Sequence, residues 1–323
     1  MRTVTIAALT SALWLAGCGG GRHEATEAYF LVTSNVKIAY WQEAAAGMAA
    51  AARQLGVKSE MVGPESYDPQ GEREAFEQVV ARQPAPAGIM VSAANPDVLR
   101  PAIDAAIAKG IPVITVDADV PDSKRLLFVG TDNYEAGQLG AELLVKRLGG
   151  KGNVVFYTIV GQGNLVERME GYKRVLIQHP GIRIVQTVDM KGDPVVAFET
   201  TKKILETVKP VPDAFVCLEA LSCQEVADVL DRQKVTGKTL IAMDTNRSTL
   251  EWIQKGMIYA TIAQKPYTMA YYGVKVLDDL YHNKPERLDQ NWARDTRSPL
   301  PVFIDTGTTL IDASNVEAYL KQP

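Results

Sequence analysis

The chain has 323 residues, enough for two domains with cores of their own. Its 46% hydrophobic and 22% charged content is that of a soluble globular protein. A formal charge of −4 and the lack of a Lys/Arg run interleaved with aromatics exclude a nucleic-acid-binding face, so no nucleic-acid partner is expected.

Arg2 gives the N-terminus a minimal positive start, and residues 4–15 form an apolar stretch too short for a stable bilayer span. That stretch runs into Leu15-Ala16-Gly17-Cys18, small residues directly before a cysteine. The pattern resembles a bacterial lipoprotein box, which implies a signal peptide over 1–17 and lipid attachment at Cys18. Residues 19–27, opening with three glycines, read as a flexible tether. The expected location is outside the cytoplasm, in the periplasm or on the outer cell surface, held to the membrane by the lipid anchor only. Export permits a Cys217–Cys223 disulfide, but Cys217 lies in an apolar strand-like run and Cys223 beyond a turn, so two buried thiols remain an equal reading.

From residue 29 onward, short apolar runs alternate with helical stretches. Strands are expected at 29–33, 58–62, 88–91, 113–116 and 126–129, and helices at 41–55, 70–80 and 96–109. Gly56 closes the first helix, and Pro96 begins the third, where a missing N–H costs little. A helix to Leu148 follows, with Asp132 or Asn133 as N-cap. A second series of the same kind then follows. It has strands at 154–157, 182–188, 214–218, 240–243 and 259–263, and helices at 165–178, 195–208, 224–230 and 249–255. A helix over 267–281, a polar stretch over 282–298, a strand at 302–304 and a last helix near 316–320 close the chain. Such alternation argues βαβ units and parallel sheets, and its repetition argues two similar α/β lobes.

Gly110-Ile111-Pro112-Val113-Ile114-Thr115-Val116-Asp117-Ala118-Asp119 runs from a helix end through a buried strand into two carboxylates. Ligands of open parallel sheets bind beyond the strands' carboxyl ends, which makes this stretch one edge of a small-molecule site.

These motifs, with Val129-Gly130-Thr131-Asp132-Asn133, Arg168-Met169-Glu170-Gly171-Tyr172, Ala260-Thr261-Ile262-Ala263-Gln264-Lys265-Pro266 and Phe303-Ile304-Asp305-Thr306-Gly307, carry a resemblance. Over residues 29–323 the chain resembles the solute-binding proteins of ATP-driven sugar importers, in the ribose/xylose/glucose class. The resemblance implies the type I periplasmic binding protein fold, two doubly wound parallel-sheet lobes joined by a three-segment hinge. The crossings are expected near Asp132, near Gln264-Lys265 and at residues 299–303. That gives an N-terminal lobe of 29–131 plus 265–300 and a C-terminal lobe of 132–264 plus 301–323, behind an anchor and tether over 18–28. It also implies a monomer without a cofactor that captures a neutral monosaccharide, glucose or a related hexose or pentose. The closed form would be handed to a permease and its ATPase. An anchored sensor presenting its ligand to a chemoreceptor or histidine kinase is the alternative.

The resemblance implies a site made by both lobes. Tyr40 and Trp41 would stack on the sugar's C–H faces, and Ser34 and Ser92 end strands beside it, with a capping role for Ser34 an equal reading. Asp117 would accept from adjacent hydroxyls. Ala118 stands where ribose binders carry arginine, which shifts weight to Asp119, whose other reading is a cap or surface role. Across the cleft, Arg168 offers a planar fork, Asp244 mirrors Asp117, and Gln264 donates and accepts at the hinge. Glu219 and Ser222 compete for one ligand position. The absence of an aromatic near Gly192 would leave one sugar face less covered.

Enzyme readings fail on their motifs. Gly237-Lys238-Thr239 has Arg232 where a phosphate loop needs glycine, Gly161-Gln162-Gly163 lacks a third glycine, and no nucleophile elbow occurs. His23, His179 and His282 are each expected to stand without a partner for catalysis or metal binding. Asp117 and Asp119 have the spacing of a glycosidase pair, but Arg168 nearby is expected to keep both ionised. A sugar-responsive repressor would need a DNA-binding segment where the signal and tether stand.

Overall fold

The computed structural model describes residues 23, 24 and 26–321. The expected signal peptide and Cys18 lie outside the described residues. Among the described residues, no helix is long and apolar enough to cross a membrane.

Two six-stranded sheets each form the centre of one lobe. In the first lobe, β1 (Ala28–Val32) pairs in parallel with β2 (Lys58–Val62) and β3 (Gly88–Val91). β3 pairs with β4 (Val113–Val116), and β4 with β5 (Phe128–Gly130). The connecting helices are α1 (Ala39–Leu55), α2 (Pro69–Val80) and α3 (Pro96–Ala108). β3 and β4 are buried throughout, as strands covered by helices on both faces must be.

Local chemistry sets the helix ends. Gly56 closes α1 with φ +74°, a left-handed value that glycine adopts without strain. Asp68 caps α2 on the Gln70 amide, and Asn95 caps α3 on those of Asp97 and Val98, each just before a first-turn proline.

The second lobe repeats the plan. Its helices are α4 (Asn133–Leu148), α5 (Gly163–Leu176), α6 (Pro194–Thr207), α7 (Ser222–Arg232) and α8 (Arg247–Gln254). Its sheet runs β7 (Ile182–Asp189), β6 (Gly152–Thr158), β8 (Ala214–Cys217), β9 (Thr239–Met243), β10 (Ala260–Ala263) and β12 (Thr309–Asp312), with only β12 antiparallel. Asp132 caps α4 through the Glu135 amide, as its position in the sequence suggests.

The chain crosses between lobes three times. The first crossing falls at 131–132, before α4, and the second at Gln264-Lys265, before α9 (Pro266–His282), which packs on α1 of the first lobe. The third differs from the expectation. β11 (Phe303–Asp305) pairs in parallel with β5, so it belongs to the first lobe's sheet. The chain crosses only afterwards, over 306–308, before β12 and the last helix, α10 (Val316–Leu320). β12 was not expected from the sequence; at four residues, with only Ile311 buried, it gives a weak strand signal.

Cys217 and Cys223 are two free, buried thiols, which decides between the two readings of that pair. Burial pushes the Cys217 thiol well above its ordinary pKa.

Candidate ligand-binding cleft

The carboxyl ends of the two sheets face each other across a cavity with about 620 Å³ of free space, its mouth included. Asp117 and Asp244 occupy matching places, directly after β4 and β9. Both have left-handed backbones, φ 62° and 66°. Aspartate is among the few residues that tolerate this conformation, and strain of this kind gathers at ligand sites. Each amide still bonds the neighbouring strand, to Val129 and Ile262 respectively, while the backbone turns out of the strand immediately after. Both carboxyl groups line the cavity.

On the first lobe, Asp117 accepts from the Tyr40 hydroxyl at 2.7 Å and from Ser92 at 3.1 Å. Tyr40 and Trp41 stand perpendicular, ring centres 5.0 Å apart, and both line the cavity, as does Ser34. α1 is capped at Ile38, so Ser34 does not cap it.

On the second lobe, Arg168 is 2% exposed and fully oriented. Its Nε donates to Asn133 at 2.9 Å, one terminal nitrogen to the Leu218 carbonyl at 2.7 Å, and the other to Gln264 at 2.6 Å. Gln264 in turn donates to Asp244 at 3.1 Å. A guanidinium has five N–H groups, so these three bonds fix the plane and leave two donors for a ligand.

Three carboxyl groups, Asp117, Glu219 and Asp244, are buried around this one guanidinium, and a fourth, Glu72, is buried behind Ala94. Burial pushes Asp244 up to about 7, against the pull of Arg168. Burial raises Asp117 and Glu219 as well, again against Arg168, and Glu72 well above the usual range. The expectation that Arg168 simply keeps Asp117 ionised therefore omits the larger effect, the loss of water around the carboxylate. Several carboxyl oxygens beside one forked donor suit a ligand that presents hydroxyl groups in fixed directions.

Two expected residues are elsewhere. Asp119 does not line the cavity: it forms a forked ion pair with Arg125 at 2.5 and 2.6 Å and accepts from Thr115. The left-handed turn at Asp117 and the bend after it break the strand alternation that would have put both carboxylates on one face. This also removes the geometry of a glycosidase pair. Ser222, fully buried, donates from both its amide and hydroxyl to Glu219. Glu219 lines the cavity, and its carboxylate also takes the Leu221 amide, closing the start of α7.

Several lining residues were not expected. Asn164 lies on α5 one turn before Arg168 and donates across the cleft to Asp117 at 3.3 Å. The four-residue spacing on a helix already places the two on one face. Tyr67 lies in a loop, where no periodicity marks it. A Cβ added to Gly192 would come within 2.4 Å of it, so the missing aromatic near Gly192 is supplied from the opposite lobe. Glu72 accepts the Ala94 amide at 3.0 Å and fixes another lining residue. Asn35 and Gln162 complete the polar wall. Lys37 points away, to Glu65 at 3.1 Å.

Comparison with known proteins places this architecture in a family. The model of the periplasmic binding protein domain matches residues 29–285, and the chain belongs to that family. The xylose/arabinose-binding protein XylF of Sulfolobus acidocaldarius is 27% identical over 72% of this chain, which spans 58% of that protein's length. Coverage of some other curated relatives is similar, at about three fifths. The ribose import binding protein RbsB of Haemophilus influenzae is 23% identical over 85% of this chain and 92% of its own. Among solved structures, AraP, an arabinose-binding protein from Geobacillus stearothermophilus, is 32% identical, with TM-score 0.75, covering 91% of this chain and 99% of its own.

Proposed function

We propose that the protein binds a neutral monosaccharide or polyol between its lobes outside the cytoplasm, and that the closed, loaded form is delivered to an ATP-driven permease. The mirrored aspartates carry this reading. Asp117 and Asp244 bring hydroxyl acceptors to one cavity from opposite lobes, with Arg168 as the forked donor between them. Tyr40, Trp41 and Tyr67 provide the aromatic surface that a sugar's C–H faces need. Asp119 is tied to Arg125, so Asp117 and Asp119 do not form a glycosidase pair.

The relatives' names support the ligand class and its transport, being xylose/arabinose, ribose and arabinose binders, one of them an import protein. Glucose remains the first hexose to test. Secretion through the signal peptide and anchoring at Cys18 complete the proposal. Thermal shift followed by calorimetry against hexoses, pentoses and polyols tests it. At least one compound should raise the melting temperature and titrate one to one; silence across the panel refutes the ligand class.

A further inference from the structure

The sequence leaves each histidine without a partner, but the fold brings two of them together. Glu27 directly precedes β1, and His23 lies four residues before it. Asp278 and His282 are one turn apart at the end of α9, on the same helix face. The His23 Nε2 lies 2.8 Å from Asp278 Oδ1, and the His282 Nε2 lies 3.0 Å from Glu27 Oε2 and 3.5 Å from Asp278 Oδ1. One ligand atom from each of the four residues falls within 4.8 Å of all the others.

We propose that His23, Glu27, Asp278 and His282 bind a zinc ion. Zinc takes four ligands at about 2.0–2.2 Å, so the ligand atoms of a tetrahedral site stand about 3.3 Å apart, within the range these residues already span. Two imidazoles with two carboxylates suit zinc and exclude calcium or magnesium, which take oxygen ligands.

Charge argues the same way. Glu27 and Asp278 are 4% and 6% exposed, and among the described residues neither makes an ion pair with lysine or arginine. Two carboxylate ligands match the charge of one divalent cation, which would offset the cost of their burial. Supporting hydrogen bonds are in place: the Glu24 amide donates to Glu27 Oε1, and the Tyr29 hydroxyl donates to Asp278 at 3.2 Å. Such partners orient ligating carboxylates.

The cluster sits at the amino end of β1, whereas the cleft lies beyond the carboxyl ends. The five-residue strand separates the two by about 15 Å. The metal therefore does not serve ligand binding. It clasps the stretch read as a tether onto the end of α9, fixing where the chain leaves the first lobe.

The test is calorimetric titration of Zn²⁺ into the full exported chain, purified without a histidine tag, with and without its monosaccharide. One equivalent should bind at micromolar or tighter dissociation constant and raise the melting temperature. Co²⁺ in its place should give the visible absorption of a four-coordinate site. His23→Ala with His282→Ala, and separately the near-isosteric Glu27→Gln, should each weaken Zn²⁺ at least tenfold and leave monosaccharide affinity unchanged. No Zn²⁺ binding, equal binding in these variants, or tighter binding of Ca²⁺ than Zn²⁺ overturns the proposal. Because sugar binding is read separately, failure of this site and failure of the cleft assignment are distinct results.

Discussion

Asp117 and Asp119 are two residues apart and do different work. Asp117 collects hydrogen bonds from Tyr40, Ser92 and, across the cleft, Asn164. Asp117→Ala leaves those donors and a ligand hydroxyl without an acceptor, at about 1–3 kcal/mol for each bond unmade, so calorimetry should read a loss in affinity of more than about tenfold. Asp119→Ala instead strands the guanidinium of Arg125, whose side chain is 8% exposed. Denaturant unfolding should show about 1–3 kcal/mol less stability, with affinity unchanged; a binding defect would mean that Asp119 reaches the ligand. Asp244 adds a pH dependence. Its carboxyl, raised to about 7, is largely protonated below that pH. A ligand hydroxyl donating to it favours the ionised form, so binding releases a proton and affinity rises with pH until it levels off above about 7. Folding runs the other way: the native state holds this proton more tightly than an unfolded aspartate of pKa about 3.9, so its contribution to stability falls as pH rises between about 4 and 7. Calorimetry in buffers of different ionisation enthalpy reads the released proton, and Asp244→Asn should remove the part of the release centred near pH 7.

The helices that carry the site depend on close backbone crossings in both lobes. A Cβ on Gly137 of α4 would lie 2.1 Å from the Arg168 carbonyl oxygen of α5, and one on Gly171 would lie 2.2 Å from that of Tyr134. In the first lobe, Gly47 of α1 meets the Tyr267 carbonyl of α9 in the same way. These contacts are with backbone, so an added methyl moves the whole helix. Gly137→Ala should cost about 1–3 kcal/mol by overpacking. Because α5 holds both Asn164 and Arg168, it should also weaken ligand binding, whereas Gly47→Ala should act on stability with less effect on Arg168; the two variants compared by thermal unfolding and calorimetry check this. At this scale much was legible. Apolar runs, capping residues and first-turn prolines are local signals, and they located every strand but β12, the α-helices and the strand-end aspartate of each lobe. What escaped the sequence was set by contacts distant in the chain. The pairing of β11 with β5, the turn of Asp119 toward Arg125, the approach of Tyr67 to Gly192 and the meeting of His23 with His282 leave no periodic trace.

The two lobes are joined by three crossings, of which the first and third are bonded side by side. Thr306 donates from its amide at 2.8 Å and its hydroxyl at 2.9 Å to the Gly130 carbonyl, and the Asp132 amide reaches Asp305 at 3.3 Å. Such a hinge lets the lobes move as units while their cores, which are separate clusters, stay packed. Closure is then decided by what spans the cleft. Asn164 of α5 already does so by donating to Asp117, and the Tyr67 ring lies against Gly192. A ligand adds bonds that exist only when both aspartates face it, so it favours the closed form by its differential affinity for that form. A contact present before ligand arrives raises the closed population and with it the apparent affinity. Asn164→Ala removes one such contact. Small-angle scattering of the unliganded variant should show a larger radius of gyration than the wild-type chain, and saturating ligand should bring the two to the same compact value. Identical unliganded profiles would mean that Asn164 acts on the ligand alone and that closure is held by the remaining contacts.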